Sequence, residues 1–466
     1  MQALEPITLR QLLDAVDGTL LGDFADLDAA ITAVDTDSRN MHPGSLFIPL
    51  EGERFDGHSF IPAALETGAA GCLTARPRES YRPDKFYVKV RSTQRALRDL
   101  AQWYKRRFDI PFICITGSVG KTTTKDMVAA VLGERYRVLK TDGNFNNNIG
   151  LPLTLLRLDS SVELCVLEMG MNHAGEIEYL SEIVEPDVAL ITNVGDSHIE
   201  NLGSREGIFK AKCEIFSHMK PGGTAILNGD DEWLTKLRGN LPFRTLFVGA
   251  GEGLDYRADE IQSDGETHLA CRVNTPKERF EVTIPALGNH MIYPTLMACA
   301  VGELFGMTSK EFTRGVQNFL PTKMRMNVLR LPGDVVVLND AYNANPQSMR
   351  AAAAVLGDAK GRRKVAVVGD MLELGDGSAM FHRAVGACFA EMGADSLIAV
   401  GDLARHIAEG AEEAGLEQVR YYASQDLAMP AICHELQPGT TILVKASRAM
   451  HFEKIVDALT AAKENG

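Results

Sequence analysis

A short loop rich in glycine and threonine is the segment whose residue types point most directly to chemistry. It consists of Gly117, Ser118, Val119, Gly120, Lys121, Thr122 and Thr123. A strand-like apolar stretch precedes it at 113–116, and a helical pattern follows at 122–132. Glycines let the backbone turn tightly so that its N–H groups converge on phosphate oxygens, and the helix N-terminus adds positive potential. The loop is therefore predicted to bind the phosphates of ATP, with Lys121 at the outer phosphates and the Thr122 hydroxyl on Mg²⁺.

The spacing of this loop departs from the standard pattern G-x-x-x-x-G-K-[ST]. Only two residues separate Gly117 from Gly120, so the loop is shorter than that pattern by two residues. A glycine-containing turn with an exposed lysine is the simplest alternative interpretation. The strand–loop–helix context favours phosphate binding, although the loop alone does not specify a reaction.

Three charged residues elsewhere are candidates for the same site, because open α/β sheets bind ligands beyond the carboxyl ends of their strands. Glu168 follows the apolar segment 164–167 and is a candidate metal ligand, with a helix-capping or surface acid as the alternative. His198 follows the apolar segment 188–192 and suits metal binding or substrate orientation, with a structural histidine as the alternative. Lys212 lies in a helical pattern, where a solvated helix face is the ordinary interpretation.

Four asparagines cluster before a predicted helix, namely Asn144, Asn146, Asn147 and Asn148. Their side chains supply neutral donors and acceptors, which suit the surroundings of a charged ligand. Turn formation is the alternative, and it explains one or two asparagines more readily than four. We take Asn144 and Asn147 as candidate substrate-binding residues.

The composition is that of an acidic globular chain with 466 residues, a net charge of −14 and 45% hydrophobic residues. The acidic balance argues against a general nucleic-acid surface. No apolar run approaches the ~20 residues that span a bilayer, and the first residues lack a signal-peptide pattern. Eight scattered cysteines without a Cys-x-x-Cys pair argue against a zinc or redox motif. We expect a cytoplasmic monomer without nucleic acid or membrane insertion.

The hydrophobic pattern predicts an α/β fold. Apolar strand-like segments alternate with helical patterns, which favours a mostly parallel sheet covered by helices. These segments are 112–116, 164–168, 188–192, 224–227 and 245–248. Polar–apolar alternation over 258–285 is typical of antiparallel strands. A second α/β unit follows Leu320, with strands predicted at 335–338, 364–368, 396–400 and 441–444.

Taken together, several runs resemble the Mur ligases of peptidoglycan synthesis, in which the short phosphate loop is the usual form. These runs are Thr116–Lys125, Asn144–Pro152, Glu168–Gly170 and Thr192–His198. Other runs resemble the branch of that family that joins D-alanyl-D-alanine to UDP-N-acetylmuramoyl-tripeptide. They are Asp35–Arg39, Asp340–Met349, Gly369–Gly375 and Lys445–Met450. The resemblance covers almost the whole chain in the family's order.

The resemblance implies an ATP-dependent ligase with three α/β domains. A small N-terminal domain at 1–85 is expected to bind the UDP end of the substrate. A central P-loop-type domain at 86–322 is expected to bind ATP and Mg²⁺. A Rossmann-like C-terminal domain at 323–466 is expected to close over the site and help to bind D-alanyl-D-alanine. The implied reaction activates a peptide carboxylate as an acyl phosphate and releases ADP and phosphate.

The resemblance also implies roles for particular residues. The implied catalytic residues are Lys121, Glu168, His198 and Lys212. The implied metal ligands are Thr122, Glu168, His198 and, if carbamylated, Lys212. Nucleotide contacts beyond the loop are implied for Asn289, Asp340, Tyr342, Asn343 and Asn345. Substrate contacts are implied for Ser38, Arg39, Lys445 and Ser447.

One segment departs from the family pattern. Residues 288–294 lie where the family usually has Gly-x-His-Asn followed by a further asparagine. Met291 and Pro294 occupy the two asparagine positions. The adenine contact is therefore expected to come from Asn289 or from backbone groups.

Three alternative functions compete with this interpretation. The first is a sister ligase that adds a single amino acid, or a folate-polyglutamylating relative, and the runs 342–346 and 369–375 disfavour it. The second is a P-loop switch or motor ATPase, which no recognisable arginine-finger motif supports. The third is a binding protein that kept the fold and lost the chemistry, which the four implied catalytic residues disfavour.

Overall fold

Three β-sheets follow one another along the chain, each with its own helices. A computed structural model describes residues 2–52, 55–77 and 80–464. Within this part of the chain, no helix is both long and apolar enough to cross a membrane. The predicted three-domain α/β architecture is confirmed by the order and composition of the sheets.

The N-terminal sheet is mixed. Its strands are β1 (Gln2–Thr8), β2 (Thr19–Leu21), β3 (Ala30–Asp35), β4 (Ser45–Phe47), β5 (Gly71–Thr74) and β6 (Phe86–Lys89). The helices are α1 (Leu9–Ala15), α2 (Ile61–Thr67) and α3 (Thr93–Lys105). The strand order is β1-β3-β4-β5-β6-β2, in which β3 to β6 run parallel and β1 and β2 pair antiparallel at the two ends.

The central sheet is the largest, with nine strands within the described residues. They are β7 (Phe112–Thr116), β8 (Val138–Lys140), β9 (Leu164–Glu168), β10 (Val188–Ile191), β11 (Thr224–Asn228), β12 (Arg244–Gly249), β13 (Tyr256–Ser263), β14 (Leu269–Asn274) and β15 (Arg279–Ile284). The helices are α4 (Lys121–Leu132), α5 (Gly150–Leu155), α6 (Glu176–Val184), α7 (Ile199–Leu202), α8 (Arg205–Cys213), α9 (Ile292–Leu304) and α10 (Ser309–Gln317). In the order β15-β14-β13-β12-β11-β10-β7-β9-β8, only β13 to β15 pair antiparallel, as the alternation over 258–285 predicts.

The C-terminal sheet is parallel except at one edge. Its strands are β16 (Asn327–Leu331), β17 (Val335–Asn339), β18 (Arg363–Gly369), β19 (Ser396–Val400), β20 (Val419–Tyr422) and β21 (Thr440–Lys445). The helices are α11 (Pro346–Asp358), α12 (Ser378–Glu391), α13 (Arg405–Glu413), α14 (Gln425–His434) and α15 (Glu453–Glu464). The order is β16-β17-β21-β18-β19-β20, with β16 and β17 antiparallel.

The apolar strands of the central sheet are buried because helices cover both of its faces. All residues of β7 and β9 are buried. One face packs against α3, α5, α6 and α8, and the other against α4, α9 and α10. Burial of apolar surface contributes ~25 cal/mol per Å². This packing fixes the strands, and therefore fixes where their carboxyl ends place the polar residues that follow.

The N-terminal sheet includes a strand that begins at Phe86. Strand β6 pairs with β5 and β2, so the N-terminal sheet continues past the expected division at 85/86. Phe86, Tyr87 and Val88 are buried together, and such a short buried strand carries no alternation that sequence inspection can recognise. We propose that the N-terminal domain ends after Lys89.

Candidate active site

A cleft of about 1110 Å³ opens between the central and C-terminal sheets. Residues that directly follow β7, β10 and β17 line it, as do the last residues of β11 and β21. This is where open α/β sheets bind ligands. We call the cleft-lining residues between 118 and 232 the central wall, and those between 340 and 451 the C-terminal wall.

Two glycines give the predicted phosphate loop its shape. Gly117 has a φ of +151°, and a β-carbon on it would lie 1.8 Å from Thr192 Oγ1. Gly120 has a φ of +83° and occupies the N-cap position of α4. Glycine adopts positive φ without the steric cost that other residues meet. Any side chain at Gly117 would therefore push the loop away from the segment after β10.

The segment after β10 holds the loop by hydrogen bonds within the central domain. Asn193 Oδ1 accepts from the Val119 N–H over 3.0 Å, and its Nδ2 donates to the Val119 carbonyl over 3.0 Å. Thr192 Oγ1 donates to the same carbonyl over 2.6 Å. The Gly195 N–H donates to Ser118 Oγ over 2.8 Å. The loop is therefore preorganised, because hydrogen bonds at Ser118 and Val119 hold it before any ligand binds.

Lys121 lies in the first turn of α4 and lines the cleft. Its Nζ donates to the Gly117 carbonyl over 2.8 Å. Among the described residues it forms no ion pair with a carboxylate. Burial lowers the pKa of Lys121, while nearby Glu168 opposes this effect and Arg325 adds to it. A cation without a carboxylate partner, at a helix N-terminus, suits a phosphate ligand.

Thr122 and Glu168 bring two oxygen ligands together. Thr122 Oγ1 donates to Glu168 Oε2 over 2.8 Å, and Asn146 Nδ2 donates to Glu168 Oε1 over 2.8 Å. The side chain of Glu168 is almost fully buried. Oxygen donors are the ligands that Mg²⁺ prefers, so this pair fits the predicted metal. Asn146 belongs to the asparagine cluster, although the sequence singled out its neighbours Asn144 and Asn147.

Lys212 is buried near the end of α8, contrary to the solvated-face interpretation. Lys212 is 1% exposed, whereas Lys210 on the same helix is exposed and pairs with Glu206. Burial lowers the pKa of Lys212 well below its usual range, and the charge of Lys121 lowers it further. A lowered pKa favours the neutral amine, which is the form that reacts with CO₂ to give a carbamate.

His198 lines the cleft at the end of the segment after β10. Its φ is +62°, which is uncommon for a residue other than glycine. Its Nδ1 lies 2.6 Å from Glu373 Oε2, a carboxylate of the C-terminal domain. This close contact with His198 lowers the pKa of Glu373. The sequence did not identify Glu373 as a functional residue, although it lies in the run Gly369–Gly375.

A buried ion pair holds the C-terminal wall. Lys445 Nζ lies 2.5 Å from Asp340 Oδ2 and also donates to the Asn343 carbonyl over 2.9 Å. Asp340 Oδ1 accepts from the Met326 N–H over 3.1 Å. Burial lowers the pKa of Lys445, and Asp340 opposes that effect. The pair therefore fixes the backbone from 340 to 343 relative to β21.

Two arginines lie close to the ring of Tyr342, which lines this wall. The guanidinium carbon of Arg325 is 4.0 Å from the centre of the Tyr342 ring, and that of Arg448 is 5.9 Å away. Arg325 also lines the cleft and forms no carboxylate pair among the described residues. Sequence reasoning missed Arg325 because it lies in the linker between domains rather than after a strand.

Asn345 and Ser447 connect neighbouring segments. Asn345 Nδ2 donates to Ser197 Oγ of the central wall over 2.8 Å, while its Oδ1 accepts from the Ser348 N–H and caps α11. Ser447 Oγ accepts from the Leu372 N–H over 3.0 Å. Both residues line the cleft.

Some predicted site residues lie elsewhere. Asn289 is exposed and lies outside the cleft lining. Asn147 uses its side chain to accept from the N–H groups at the start of α5. Ser38 and Arg39 follow β3 in the N-terminal domain, where Arg39 pairs with Asp37 over 2.7 Å. Their predicted roles in binding nucleotide or substrate stay predictions.

The end of the cleft near α9 is largely apolar. Leu287, Met291 and Pro294 line it. Tyr293 is beside them, and its hydroxyl donates to Asp230 Oδ2 over 3.1 Å. Met291 and Pro294, which occupy the family's two asparagine positions, therefore contribute apolar contacts to the cleft, whereas Asn289 does not line it.

One further cluster has a metal-like composition but does not fit a metal. Glu51, Asp56 and His58 of the N-terminal domain place one ligand atom each within 4.8 Å of one another. His58 Nδ1 lies 2.8 Å from Asp56, and its Nε2 accepts from the Ala75 N–H over 3.0 Å. Arg76 pairs with both carboxylates. Both ring nitrogens and both carboxylates are already engaged by protein groups in this cluster.

Family models match three parts of the chain. The model described as Mur ligase family, catalytic domain, matches residues 30–105. The Mur ligase middle domain matches residues 115–302. The Mur ligase, glutamate ligase domain, matches residues 324–448. The three matches follow the order of the three sheets.

Similar proteins cover nearly the whole chain. The UDP-N-acetylmuramoyl-tripeptide–D-alanyl-D-alanine ligase of Bacillus subtilis is 40% identical over 97% of this chain and 98% of its own. A crystal structure of MurF from Acinetobacter baumannii has a TM-score of 0.92 and 34% identity, covering 98% of this chain and 100% of its own. A MurF ligase from Thermotoga maritima, solved in complex with ADP, has a TM-score of 0.83 and 29% identity, covering 93% and 98% respectively.

Proposed function

The chain belongs to the Mur ligase family, and we propose that it adds D-alanyl-D-alanine to UDP-N-acetylmuramoyl-tripeptide with ATP as the activating substrate. The observation that carries this proposal is the nearly full-length similarity to relatives that are named for this reaction. The phosphate loop and the buried residues Glu168 and Lys212 of the central domain supply the chemistry that such a ligase needs. The product is the pentapeptide precursor of peptidoglycan, which serves cell-wall growth, cell shape and division.

The reaction has to activate a carboxylate, which is a poor acylating agent. A carboxylate oxygen of the tripeptide attacks the γ-phosphorus of ATP, and the bond from that phosphorus to the bridging oxygen of ADP breaks. The resulting acyl phosphate is attacked at its acyl carbon by the amine of D-alanyl-D-alanine. The amine loses a proton, and phosphate leaves with the oxygen that came from the carboxylate.

The first step brings two anions together, and the phosphate loop offsets their repulsion. Two unit charges 4 Å apart repel by ~4 kcal/mol at an effective dielectric of ~20. We assign Lys121 to the transferring phosphoryl group, where its positive charge is unpaired by any carboxylate among the described residues. Mg²⁺, held by Thr122 and Glu168, supplies further charge neutralisation when bound.

Lys212 contributes in a different form. As a cation it would oppose metal binding, and its lowered pKa already disfavours that state. We propose that Lys212 is carbamylated and therefore presents an anionic, carboxylate-like group to the metal site. His198 is proposed as a further ligand, since its ring lines the same cleft as Thr122.

The C-terminal wall is proposed to close the cleft and to exclude water, which otherwise hydrolyses the acyl phosphate. The hydrogen bond from Asn345 to Ser197 joins the two walls. We assign Asp340, Tyr342 and Asn343 to the nucleotide side of this closure. Lys445 supports this closure by holding the segment 340–343 through Asp340 and the Asn343 carbonyl. Ser447 supports it by accepting a hydrogen bond from the Leu372 N–H.

The remaining assignments follow from membership of the family. We propose that Ser38 and Arg39 bind the UDP end of the substrate and that Asn144 and Asn147 lie near its peptide. We further propose that the enzyme acts in the cytoplasm, where ATP and UDP-linked precursors meet, and that it acts as a monomer.

A coupled phosphate-release assay tests the proposed function. Purified protein receives ATP and Mg²⁺ with UDP-N-acetylmuramoyl-tripeptide, with D-alanyl-D-alanine, with both, or with the tripeptide and single amino acids. We expect phosphate release only when tripeptide and dipeptide are both present. Release with ATP alone, or release that depends on a single amino acid, would contradict the proposal.

A further inference from the structure

We propose that Glu373 is a positioning residue that orients the imidazole of His198 and makes that orientation depend on closure of the C-terminal domain. The proposal rests on the metal role assigned to His198 under the proposed function. Glu373 lies after β18 in the C-terminal sheet, whereas His198 lies after β10 in the central sheet. The two side chains meet across the domain interface, with His198 Nδ1 2.6 Å from Glu373 Oε2.

The backbone at both ends of this contact is unusual. His198 has a φ of +62° and Glu373 a φ of +63°, in a region that residues other than glycine rarely adopt. Such conformations persist where the surroundings over-determine them, and they cluster at functional sites. His198 and Glu373 come from different domains, and both have left-handed backbone where their side chains meet. We take this coincidence as support for a specific contact between them.

The neighbouring residues support a built contact between the two segments. Gly375 has a φ of +57°, and a β-carbon on it would lie 3.6 Å from the Glu200 backbone in α7. The loop that contains Glu373 therefore packs directly on the helix that His198 precedes. Glu373 is still half exposed, with 53% of its side chain accessible, so it does not form part of a structural core.

The chemistry of the pair explains why a carboxylate is needed. A carboxylate oxygen 2.6 Å from Nδ1 would repel the lone pair of a bare ring nitrogen, so this contact requires the proton of a neutral His198 ring to sit on Nδ1. That arrangement leaves the lone pair of Nε2 available, and no described residue bonds to Nε2. Metal-binding histidines commonly donate their other ring nitrogen to a carboxylate, which fixes the tautomer and the ring orientation. Glu373 supplies this carboxylate from the opposite domain.

The first test reads the tautomer directly and needs no turnover. Apoprotein labelled with ¹⁵N-histidine is studied by long-range ¹H–¹⁵N correlation at a mildly alkaline pH, and the His198 signal is assigned by its loss in His198→Asn. We expect the Nδ1–H tautomer in the wild type and a shift toward the Nε2–H tautomer in Glu373→Ala. The exposed acid Asp376 on the same loop gives the matched control, because Asp376→Asn should leave the tautomer unchanged. An unchanged tautomer in Glu373→Ala would overturn the proposal.

The second test measures the affinity of the ADP-bound enzyme for Mg²⁺ by calorimetry. We expect Glu373→Ala to weaken Mg²⁺ binding by ~10- to 100-fold, with Glu373→Gln in between, because a neutral amide accepts a weaker hydrogen bond. Because Glu373 acts through His198, its removal should have no further effect in a His198→Ala background. Tighter Mg²⁺ binding in Glu373→Ala would instead show that Glu373 competes with the metal for His198.

These outcomes separate the two claims. A tautomer that depends on Glu373 in a protein without ligase activity leaves the positioning role intact and removes the proposed function. Ligase activity together with an unchanged tautomer removes only the positioning role.

Discussion

The two walls of the cleft hold their polar groups in different ways. On the central wall, Thr192 and Asn193 bond the phosphate loop at Val119, so one domain supplies both the loop and its support. On the C-terminal wall, a buried ion pair between Asp340 and Lys445 fixes the corresponding loop. That wall reaches the central one through a few side-chain contacts across the interface.

This difference predicts two kinds of behaviour. The phosphate loop and its support come from one domain, so the loop keeps its geometry whether the cleft is open or closed and suits residues that act in the transition state. Contacts across the interface form only on closure, so they suit nucleotide binding and water exclusion. We therefore expect substitutions on the central wall to lower kcat, and substitutions on the C-terminal wall to change KM or stability.

The largest effect is expected for Lys121→Ala on the central wall. Removing the unpaired cation leaves the two reacting anions without their main protein partner, and kcat should fall ~10³-fold or more. Steady-state kinetics with ATP, tripeptide and dipeptide provide the measurement. Lys210→Ala, which removes an exposed lysine on α8, is the control and should remain within about twofold of the wild type. Retained activity in Lys121→Ala would contradict the assignment of the phosphate loop.

The next largest effect is expected for Asp340→Ala on the C-terminal wall, and it is an effect on stability. The substitution leaves Lys445 buried without its partner, which costs ~3 kcal/mol. Hydrogen exchange of peptides that cover β17 and β21 should accelerate accordingly. The double variant Asp340→Ala/Lys445→Met should recover most of the protection. Unchanged exchange combined with a large fall in kcat would place Asp340 in the chemistry and weaken the contrast between the walls.

Lys212→Ala should lower kcat by ~10²-fold, since it removes a proposed anionic metal ligand in the central domain. Because burial lowers the pKa of Lys212, more of its amine is neutral at neutral pH than in an exposed lysine. The neutral amine is the form that takes up CO₂, so wild-type activity should fall in CO₂-depleted buffer and return with bicarbonate. Short carboxylic acids should partly rescue Lys212→Ala. Wild-type activity that does not depend on CO₂, together with no rescue of Lys212→Ala by carboxylic acids, would argue against the carbamate.

The smallest effect is expected for Asn345→Asp. Aspartate keeps the acceptor that caps α11 but loses the donor to Ser197. One hydrogen bond contributes ~0.5–1.5 kcal/mol, so KM for ATP should rise ~2- to 10-fold with kcat nearly unchanged. Ser197→Ala should have the same effect, and the double variant should add nothing. A fall in kcat with unchanged KM would show that this contact belongs to the transition state.

The sequence predicts the central wall better than the C-terminal wall, and the reason is physical. Strands β7 and β9 are continuous buried apolar runs, so their predicted bounds agree with the observed ones. The phosphate loop follows from local glycine chemistry. In contrast, Asp340 and Lys445 lie 105 residues apart, and no local pattern shows that they neutralise each other.

Burial and partnership are the properties that local patterns fail to reveal. Lys210 and Lys212 lie on one short helix, yet only Lys212 is buried. Glu373 meets His198 only because two sheets face each other across the cleft. Arg325 lies in a linker whose path depends on both domains. These residues can be identified only in the folded structure, because their neighbours come from distant parts of the chain.

The central claim, that the phosphate loop transfers a phosphoryl group to a peptide carboxylate rather than to water, can be tested by following one oxygen atom. The enzyme is given ATP, Mg²⁺, D-alanyl-D-alanine and UDP-N-acetylmuramoyl-tripeptide with ¹⁸O in its terminal carboxylate, and the released phosphate is analysed by mass spectrometry. We expect one ¹⁸O atom from the carboxylate in each phosphate. Phosphate that carries its new oxygen from solvent water instead would contradict the account.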